Sequence, residues 1–217
     1  MRIFLDTADI NEIREVARWG ILSGVTTNPT LMSKTAGKSH EAVIREIAEI
    51  VDGPISAETI SLATEGMLTE ARRFAAWHHN VVVKVPSTPN GWAAVKRLAD
   101  EGIRTNVTLC FSANQALFAA LAGAYIISPF VGRLDDISED GMQVVRDTVE
   151  IYRKHNLPTL VLAASIRHPL HIIEAAKAGA DIATVPFKVL QLAAQHPLTD
   201  KGIENFLKDW EKFKREQ

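Results

Sequence analysis

Short apolar runs rich in β-branched side chains alternate with amphipathic stretches along the whole chain. The runs cover residues 2–6, 24–28, 54–58, 81–86, 104–109, 124–131, 158–165 and 181–187. Each run is followed by apolar residues at helical spacing. In the stretch that begins near Ser138, for example, Met142, Val145, Val149 and Tyr152 share one side of a helix. The pattern therefore predicts eight strands, each followed by a helix.

Strands that alternate with helices predict a parallel sheet. Eight such units predict a (β/α)8 TIM barrel, although 217 residues is compact for that fold. An open, doubly wound sheet is the structural alternative. It is disfavoured because the pattern has eight units and because no strand is followed by a GxGxxG turn.

One amphipathic stretch remains after the eighth unit. In residues 199–217, Ile203, Phe206, Leu207, Trp210 and Phe213 form one apolar stripe at helical spacing. The stripe either packs on the chain's own barrel or docks on a neighbouring subunit. We find no linker or low-complexity segment, so we expect one domain over residues 1–217, with 199–217 as an extra C-terminal helix.

Composition narrows the classes of function. The chain is 47% hydrophobic, with a net charge of -2 and a pI near 6.4. These values favour a sizeable core and indicate neither a nucleic-acid footprint nor a basic membrane surface. Cys110 is the only cysteine, so no intramolecular disulfide can form. The N-terminus carries Asp6 and Asp9 instead of an apolar signal-peptide core, and we expect a cytoplasmic protein.

The run "VVVKVP" places Lys84 in the middle of a strand that should be buried on both faces. An unpaired ammonium is costly there because it loses most of its hydration. The side chain must therefore reach solvent, find a partner, or have a lowered proton affinity.

Other polar residues fall near the carboxyl ends of the predicted strands, where the active sites of such barrels lie. They are, with the aromatic neighbour that accompanies them, Asp6, Asn28, Glu58, Lys84, Asn106, Thr108, Ser128, Phe130, Arg133, Ser165 and Arg167. A single polar strand end is more often a turn or cap residue. Two carboxylates, a lysine, two asparagines and two arginines on one rim instead predict an active site.

This set suits one kind of chemistry. A buried lysine that loses its proton can attack a carbonyl and form an imine, which is an electron sink for cleavage of a neighbouring carbon–carbon bond. Asp6 is suited to removing the hydroxyl proton on the departing side. Glu58 with Thr108 could hold and shuttle the water of imine formation.

Arg133, Ser165 and Arg167 cluster after the sixth and seventh strands, close to where such barrels often bind phosphate. Guanidinium groups match phosphate oxygens, so the expected substrate is a phosphorylated ketose. Asp135 and Asp136 follow Arg133 and either orient it or are solvated turn residues.

The segments "FLDTAD", "GVTTNPT", "VVVKVP", "TNVTL", "ISPFVGRLDD" and "LAASIRHP" resemble the transaldolase family, in its short TalC-like branch. The resemblance covers essentially the whole chain. It implies a (β/α)8 barrel without metal or cofactor, a Schiff base on Lys84, and a proton transfer by Asp6 that parts carbons 3 and 4. It further implies a homo-oligomer, a pentamer ring or decamer in which the C-terminal helix reaches a neighbour.

The resemblance also assigns the remaining residues. Glu58 and Thr108 match the pair that positions the catalytic water. Asn28 and Asn106 match contacts to the dihydroxyacetone unit, Ser128 and Phe130 match the wall beside the imine, and Arg133, Ser165 and Arg167 match phosphate contacts.

Two other functions remain open. Fructose-6-phosphate aldolases of the same branch release free dihydroxyacetone, but they typically carry glutamine where this chain has Glu58 and tyrosine where it has Phe130. Asn106 likewise follows the transaldolase pattern. A non-catalytic sugar-phosphate binder is the remote alternative, and it would have no need for a buried lysine.

Overall fold

The structure is a computed structural model that describes residues 1–35 and 37–216. Eight parallel strands close into a barrel in chain order, which confirms the predicted TIM-barrel fold. The strands are β1 (Arg2–Asp6), β2 (Leu22–Thr26), β3 (Ile55–Glu58), β4 (Val81–Pro86), β5 (Thr105–Cys110), β6 (Ile126–Pro129), β7 (Leu160–Ala163) and β8 (Ile182–Val185).

Helices connect the strands and surround the barrel. They are α1 (Ile10–Arg18), α2 (Pro29–Met32), α3 (His40–Ile50), α4 (Thr64–Ala75), α5 (Pro89–Asp100), α6 (Ala113–Leu121), α7 (Val131–Asp135), α8 (Gly141–Lys154), α9 (Pro169–Ala178), α10 (Phe187–Ala194) and α11 (Pro197–Arg215). The short helices α2 and α7 were not predicted. Both lie at the carboxyl ends of strands, next to the predicted site.

Side-chain caps mark where many of the helices begin. Asp9, Asn28, Ser39, Thr88 and Ser112 each accept a hydrogen bond from a backbone N–H in the first turn of the helix that follows. These bonds satisfy N–H groups that have no partner inside the helix. They hold the strand-to-helix loops, where the predicted site residues lie.

Apolar side chains fill both sides of the strands. The larger cluster lies between the barrel and the surrounding helices, and it includes Leu5 and Val83. A smaller, separate cluster comprises Phe4, Ile126 and Leu162, together with Ala164 and Ile182. Because neighbours on a strand point to opposite sides, Phe4 and Asp6 share the barrel interior. The interior therefore changes from apolar to polar toward the carboxyl end of β1.

Four strands end one or two residues earlier than predicted, among them β8, which ends at Val185. β2 ends at Thr26, because Asn28 caps α2 and Pro29 begins that helix. β6 ends at Pro129, so that Phe130 lies at the start of α7. β7 ends at Ala163, and Ser165 lies in the loop with a φ of 58°.

The helix predicted to begin near Ser138 begins at Gly141 instead. Ser138 has a φ of 65°, which is incompatible with a right-handed helix. Asp140 caps the helix by accepting a hydrogen bond from the backbone N–H of Met142.

The apolar stripe of α11 is exposed. The exposed fractions of Ile203, Phe206, Leu207, Trp210 and Phe213 are 53, 76, 60, 55 and 48%. In the described part of the chain, the barrel therefore leaves this stripe uncovered. Gln217, the last residue of the predicted helix, lies outside the described residues. Among the described residues no helix is long and apolar enough to cross a membrane.

Candidate active site

A cavity of about 460 Å³ opens at the carboxyl ends of the strands. The predicted site residues that line it are Asp6, Asn28, Glu58, Lys84, Thr108, Ser128, Phe130, Arg133, Ser165 and Arg167. Asn106, the remaining predicted residue, does not line the cavity. The structure thus brings residues from seven strands and their loops into one space.

Lys84 lies in this cavity with only 5% of its surface exposed. Its Nζ lies 3.0 Å from Oε2 of Glu58 and donates a hydrogen bond to the carbonyl of Thr27 at 3.2 Å. Glu58 and Lys84 are register partners across β3 and β4, so sheet pairing itself brings the two side chains together. The sequence left three possibilities for Lys84: contact with solvent, a partner, or a lowered proton affinity. The structure shows a partner for the ammonium, the carboxylate of Glu58.

Asp6 is the second carboxylate of the cavity. Thr26 Oγ1 donates to its Oδ1 at 2.7 Å, and Thr26 and Thr184 share a hydrogen bond of 2.6 Å. Burial raises the pKa of Asp6, while the hydrogen bond from Thr26 and the charge of Lys84 oppose this shift. A carboxyl group with a raised pKa is a stronger base and can also return the proton.

Asn106 lies beneath the cavity floor and is fully buried. Its amide nitrogen donates to Ser56 Oγ at 3.1 Å, and its amide oxygen accepts from Ser128 Oγ at 2.7 Å. Ser128 lines the cavity itself. In this arrangement Asn106 orients the Ser128 hydroxyl from behind.

Asn28 has a structural task at the cavity edge. Its Oδ1 accepts a hydrogen bond from the backbone N–H of Leu31 at 2.9 Å and so caps α2. The Oδ1 atom of Asn28 is therefore occupied by the helix cap. A ligand at this edge would meet the amide nitrogen, which is a hydrogen-bond donor.

Thr108 presents a buried hydroxyl to the cavity. Its Oγ1 has no hydrogen-bond partner within the described part of the chain. The next residue, Leu109, also lines the cavity and has a φ of 55°, at an irregularity in the pairing of β5 with β6. Strained backbone conformations such as this one cluster at functional sites. A buried hydroxyl without a partner is costly unless a ligand or water satisfies it.

Arg133 and Arg167, called the arginine pair below, flank the cavity on the side of α7. The guanidinium carbon of Arg133 lies 5.2 Å from the centre of the Phe130 ring. Arg167 Nη2 lies 2.9 Å from Asp136 Oδ2. Both arginines are exposed, as is expected for groups that meet a charged ligand arriving from solvent.

The chain also matches a known protein family. A family model described as "Transaldolase/Fructose-6-phosphate aldolase" matches residues 3–217. The chain belongs to this family.

Close relatives in the transaldolase/fructose-6-phosphate aldolase family come from several bacteria. A probable transaldolase of Roseiflexus sp. (strain RS-1) is 66% identical over 215 residues, which cover 99% of each chain. Probable transaldolases of Heliobacterium modesticaldum and Caldicellulosiruptor saccharolyticus are 62% and 61% identical, with at least 98% of each chain covered. The match therefore extends over the barrel and the C-terminal helix.

Three polar residues around the candidate site were not predicted from the sequence. Thr26 and Thr184 form the hydrogen-bonded chain to Asp6, and Ser56 holds Asn106. Their signal was weak, since threonine and serine in a strand are common. The strand register could have revealed Thr26, because it pairs with Asp6 across β1 and β2.

Proposed function

We propose that the protein is a transaldolase that transfers a dihydroxyacetone unit through a Schiff base on Lys84. The donors would be sedoheptulose 7-phosphate or fructose 6-phosphate, and the acceptors glyceraldehyde 3-phosphate or erythrose 4-phosphate, in the non-oxidative pentose phosphate pathway. One observation carries the proposal: the pair formed by buried Lys84 and partly buried Glu58 shares its cavity with Asp6.

Imine formation begins with loss of the Lys84 proton. Glu58, 3.0 Å away, is placed to accept it. The neutral amine then adds to the ketose carbonyl at carbon 2 and gives a carbinolamine, which expels water to form the iminium. Glu58 returns the proton to the departing hydroxyl, and the unpartnered Thr108 hydroxyl supplies a hydrogen bond for that water.

Carbon–carbon cleavage follows at the other carboxylate. Asp6 removes the proton of the hydroxyl on carbon 4, and the electrons of the bond between carbons 3 and 4 move toward the iminium. Carbon 4 leaves as an aldose phosphate, and a three-carbon enamine stays on Lys84. The acceptor aldose phosphate reverses these steps, taking back the Asp6 proton on its new hydroxyl. Water then hydrolyses the new iminium and releases the product ketose.

Two groups of residues would hold the substrate. Asn28 and Ser128 would hydrogen-bond the dihydroxyacetone unit, with Asn106 supporting Ser128 and with Phe130 as the wall beside the imine. The arginine pair and Ser165 would bind the phosphate. Guanidinium groups bind phosphate oxygens with two parallel hydrogen bonds, which suits the arginine pair to this task.

The central test is covalent trapping. Borohydride reduction in the presence of fructose 6-phosphate should leave a stable adduct on Lys84 that mass spectrometry locates by peptide. Lys84→Ala should abolish the adduct, whereas the exposed Lys96→Ala should retain it as the matched control. An adduct that persists in Lys84→Ala would contradict the assignment.

A second assay separates transfer from aldol cleavage. With fructose 6-phosphate and erythrose 4-phosphate we expect sustained turnover, and without the acceptor only release of about one equivalent of aldose phosphate per site, because the enamine remains on the enzyme. Sustained release of free dihydroxyacetone without the acceptor would favour the aldolase. Binding without any reducible imine would favour the non-catalytic sugar-phosphate binder.

We also propose that the protein acts as a homo-oligomer in the cytoplasm, where this pathway would operate. The exposed apolar stripe of α11 supports the oligomer, because an apolar surface of this kind usually meets a partner. A pentamer ring or a decamer is the form expected from the family resemblance.

A further inference from the structure

His171 is a buried histidine that lies directly behind the arginine pair. It belongs to α9 and is 4% exposed. Its ring contacts two segments that carry the arginines: the loop from β7 to α9, which contains Arg167, and the end of α7, which contains Arg133. The steps proposed above do not use this residue.

The hydrogen bonds of His171 define its protonation state. The backbone N–H of Arg167 donates to Nδ1 at 3.2 Å, so Nδ1 carries a lone pair and no proton. Nε2 lies 2.9 Å from Oδ2 of Asp135 and must be the protonated nitrogen that donates to this carboxylate. The contacts therefore require a neutral imidazole in the Nε2–H form.

Asp135 extends the connection to the next element. Its Oδ1 accepts a hydrogen bond from the backbone N–H of Gly141 at 3.0 Å, while Oδ2 meets His171. Asp135 thereby joins the end of α7 to the start of α8 and to the Arg167 loop. Arg133 lies two residues before Asp135 in the same short helix. The contact between His171 and Asp135 is thus one of the links between the segments that carry the two arginines.

Close packing at Gly132 makes the same two segments interdependent. The backbone N–H of Gly132 donates to the carbonyl of Ser165 at 3.0 Å. A Cβ on Gly132 would lie 2.3 Å from that carbonyl oxygen and 2.4 Å from Arg167 Cγ. The two segments are packed too closely at this junction to move independently. A shift of the backbone at His171 should therefore change the positions of both arginines.

The surroundings of His171 favour its neutral form, mainly through burial. Burial is the main reason that the pKa of His171 lies below its usual value of 6.5, and the neighbouring His168 lowers it further. Asp135 from α7 and Glu174 from α9 act in the opposite direction. Protonation would place a second N–H at Nδ1, opposite the donating N–H of Arg167, and would break that hydrogen bond.

We propose that His171 is a positioning residue that holds Arg133 and Arg167 as one phosphate-binding unit, and that its protonation loosens phosphate binding at acidic pH. The identity of the ligand rests on the proposed function, because we take the bound phosphate to be that of the sugar substrate. The positioning itself can be tested without any catalytic turnover.

The test uses glycerol 3-phosphate, a stable phosphate monoester without a carbonyl group. Its dissociation constant is measured by isothermal titration calorimetry between pH 5.5 and 8 for the wild type, His171→Gln and His171→Leu. Glutamine keeps one acceptor and one donor but does not titrate, whereas leucine removes both. His155→Gln, an exposed histidine at the end of α8, is the matched control, and thermal melting verifies that each variant is folded.

We expect His171→Leu to weaken binding at pH 8 on the order of tenfold, the effect of losing hydrogen bonds that position a charged contact. His171→Gln should recover most of that loss. Below pH 6.5 the wild type and His155→Gln should lose more affinity than His171→Gln. The phosphate of the ligand titrates equally in all three proteins, so the difference between their pH profiles reports on His171. Equal affinities for the wild type and His171→Leu, or parallel pH profiles for the wild type and His171→Gln, would overturn the proposal.

A second measurement keeps this inference separate from the proposed function. Dihydroxyacetone has no phosphate, so borohydride trapping with it should label Lys84 equally in the wild type, His171→Gln and His171→Leu. If no variant, including the wild type, is labelled while glycerol 3-phosphate binding changes as expected, the proposed function fails and the positioning role stands. If trapping with dihydroxyacetone falls in parallel with phosphate affinity in His171→Leu, the role is general structural support and the proposal fails.

Discussion

Asp6 and Lys84 occupy positions that cost the fold stability. A carboxylate and an ammonium lose hydration in a buried site, and an ion pair there recovers this cost only with good geometry. Lys84 has its partner Glu58 at 3.0 Å, but among the described residues Asp6 has a hydrogen bond only from the Thr26 hydroxyl, and the pKa of Asp6 is raised. Charged groups that destabilise a fold in this way are typical of functional sites.

Asp6→Asn should separate chemistry from stability. Asparagine can still accept the hydrogen bond of Thr26 but cannot remove a proton, so we expect kcat to fall by about 10²–10⁴-fold. Trapping of the imine on Lys84 should persist. Asp9→Asn, in the same loop, is the control: it changes a helix cap and should leave kcat near the wild-type value. Wild-type kcat for Asp6→Asn would remove this residue from the mechanism.

The raised pKa of Asp6 also predicts a pH effect on stability. A carboxyl whose folded-state pKa is raised binds its proton more tightly in the native state, so its contribution is favourable below the ordinary value of 3.8 and is lost as pH rises through the folded-state pKa. Asp6→Asn removes the cost of ionisation at neutral pH. We therefore expect its melting temperature at pH 7 to exceed that of the wild type, and the difference to shrink toward pH 4.

Short elements at the carboxyl ends of the strands shape the site. Helix α7 follows β6 directly and carries Arg133, while the loop after β7 carries Ser165 and Arg167. The two elements meet at Gly132, where the backbone approaches too closely for any side chain. The irregular backbone of Leu109 and Ser165, with φ values of 55° and 58°, marks the same rim.

Gly132→Ala should disturb phosphate binding more than imine chemistry. The added Cβ would push against the Ser165 carbonyl and Arg167, so we expect the KM for fructose 6-phosphate to rise on the order of tenfold or more. Trapping with unphosphorylated dihydroxyacetone should change little. Gly202→Ala in α11 is the matched control, since a Cβ there meets no atom within 4 Å. Equal KM values for the two variants would argue against a role of the contact at Gly132 in phosphate binding.

At the scale of the whole molecule, helix α11 is a surface feature that the barrel does not explain. Helix α11 extends from the last unit with its apolar stripe exposed, and Trp210 and Phe213 stack with ring centres 5.5 Å apart. Large aromatic side chains on an exposed helix resemble the anchors of protein interfaces. A second copy of the chain is the partner that we propose.

Phe206→Glu should weaken this assembly. Phe206 is 76% exposed in the single chain, so a charge there should not harm the barrel but should be costly in an apolar interface. We expect light scattering coupled to gel filtration to show a smaller species than the wild type. Lys208→Glu also adds a glutamate, on the opposite side of the helix, and should retain the wild-type mass. If both variants keep the wild-type mass, the stripe is not the subunit contact.

The sequence alone determined the barrel and the approximate position of the candidate site. Eight repeats of a β-branched run and an amphipathic stretch indicate a parallel barrel, because each strand must be buried on both faces and each helix on one. Polar strand ends such as Asp6, Glu58 and Lys84 then belong to one rim, since all parallel strands end on the same side. These inferences depend only on local periodicity and on the direction of the chain.

The tertiary structure decided what depends on contacts between distant segments. The Thr26–Asp6 and Glu58–Lys84 pairs depend on strand register, and the contact of His171 with Asp135 depends on how α7 meets α9. Asn28 proved to be a helix cap because β2 ends two residues earlier than predicted, and Asn106 proved to support Ser128 from beneath the cavity. Residue types and spacing do not specify such partners, because a hydrogen bond between elements far apart in the chain forms only when packing holds the donor–acceptor distance to within a few tenths of an ångström.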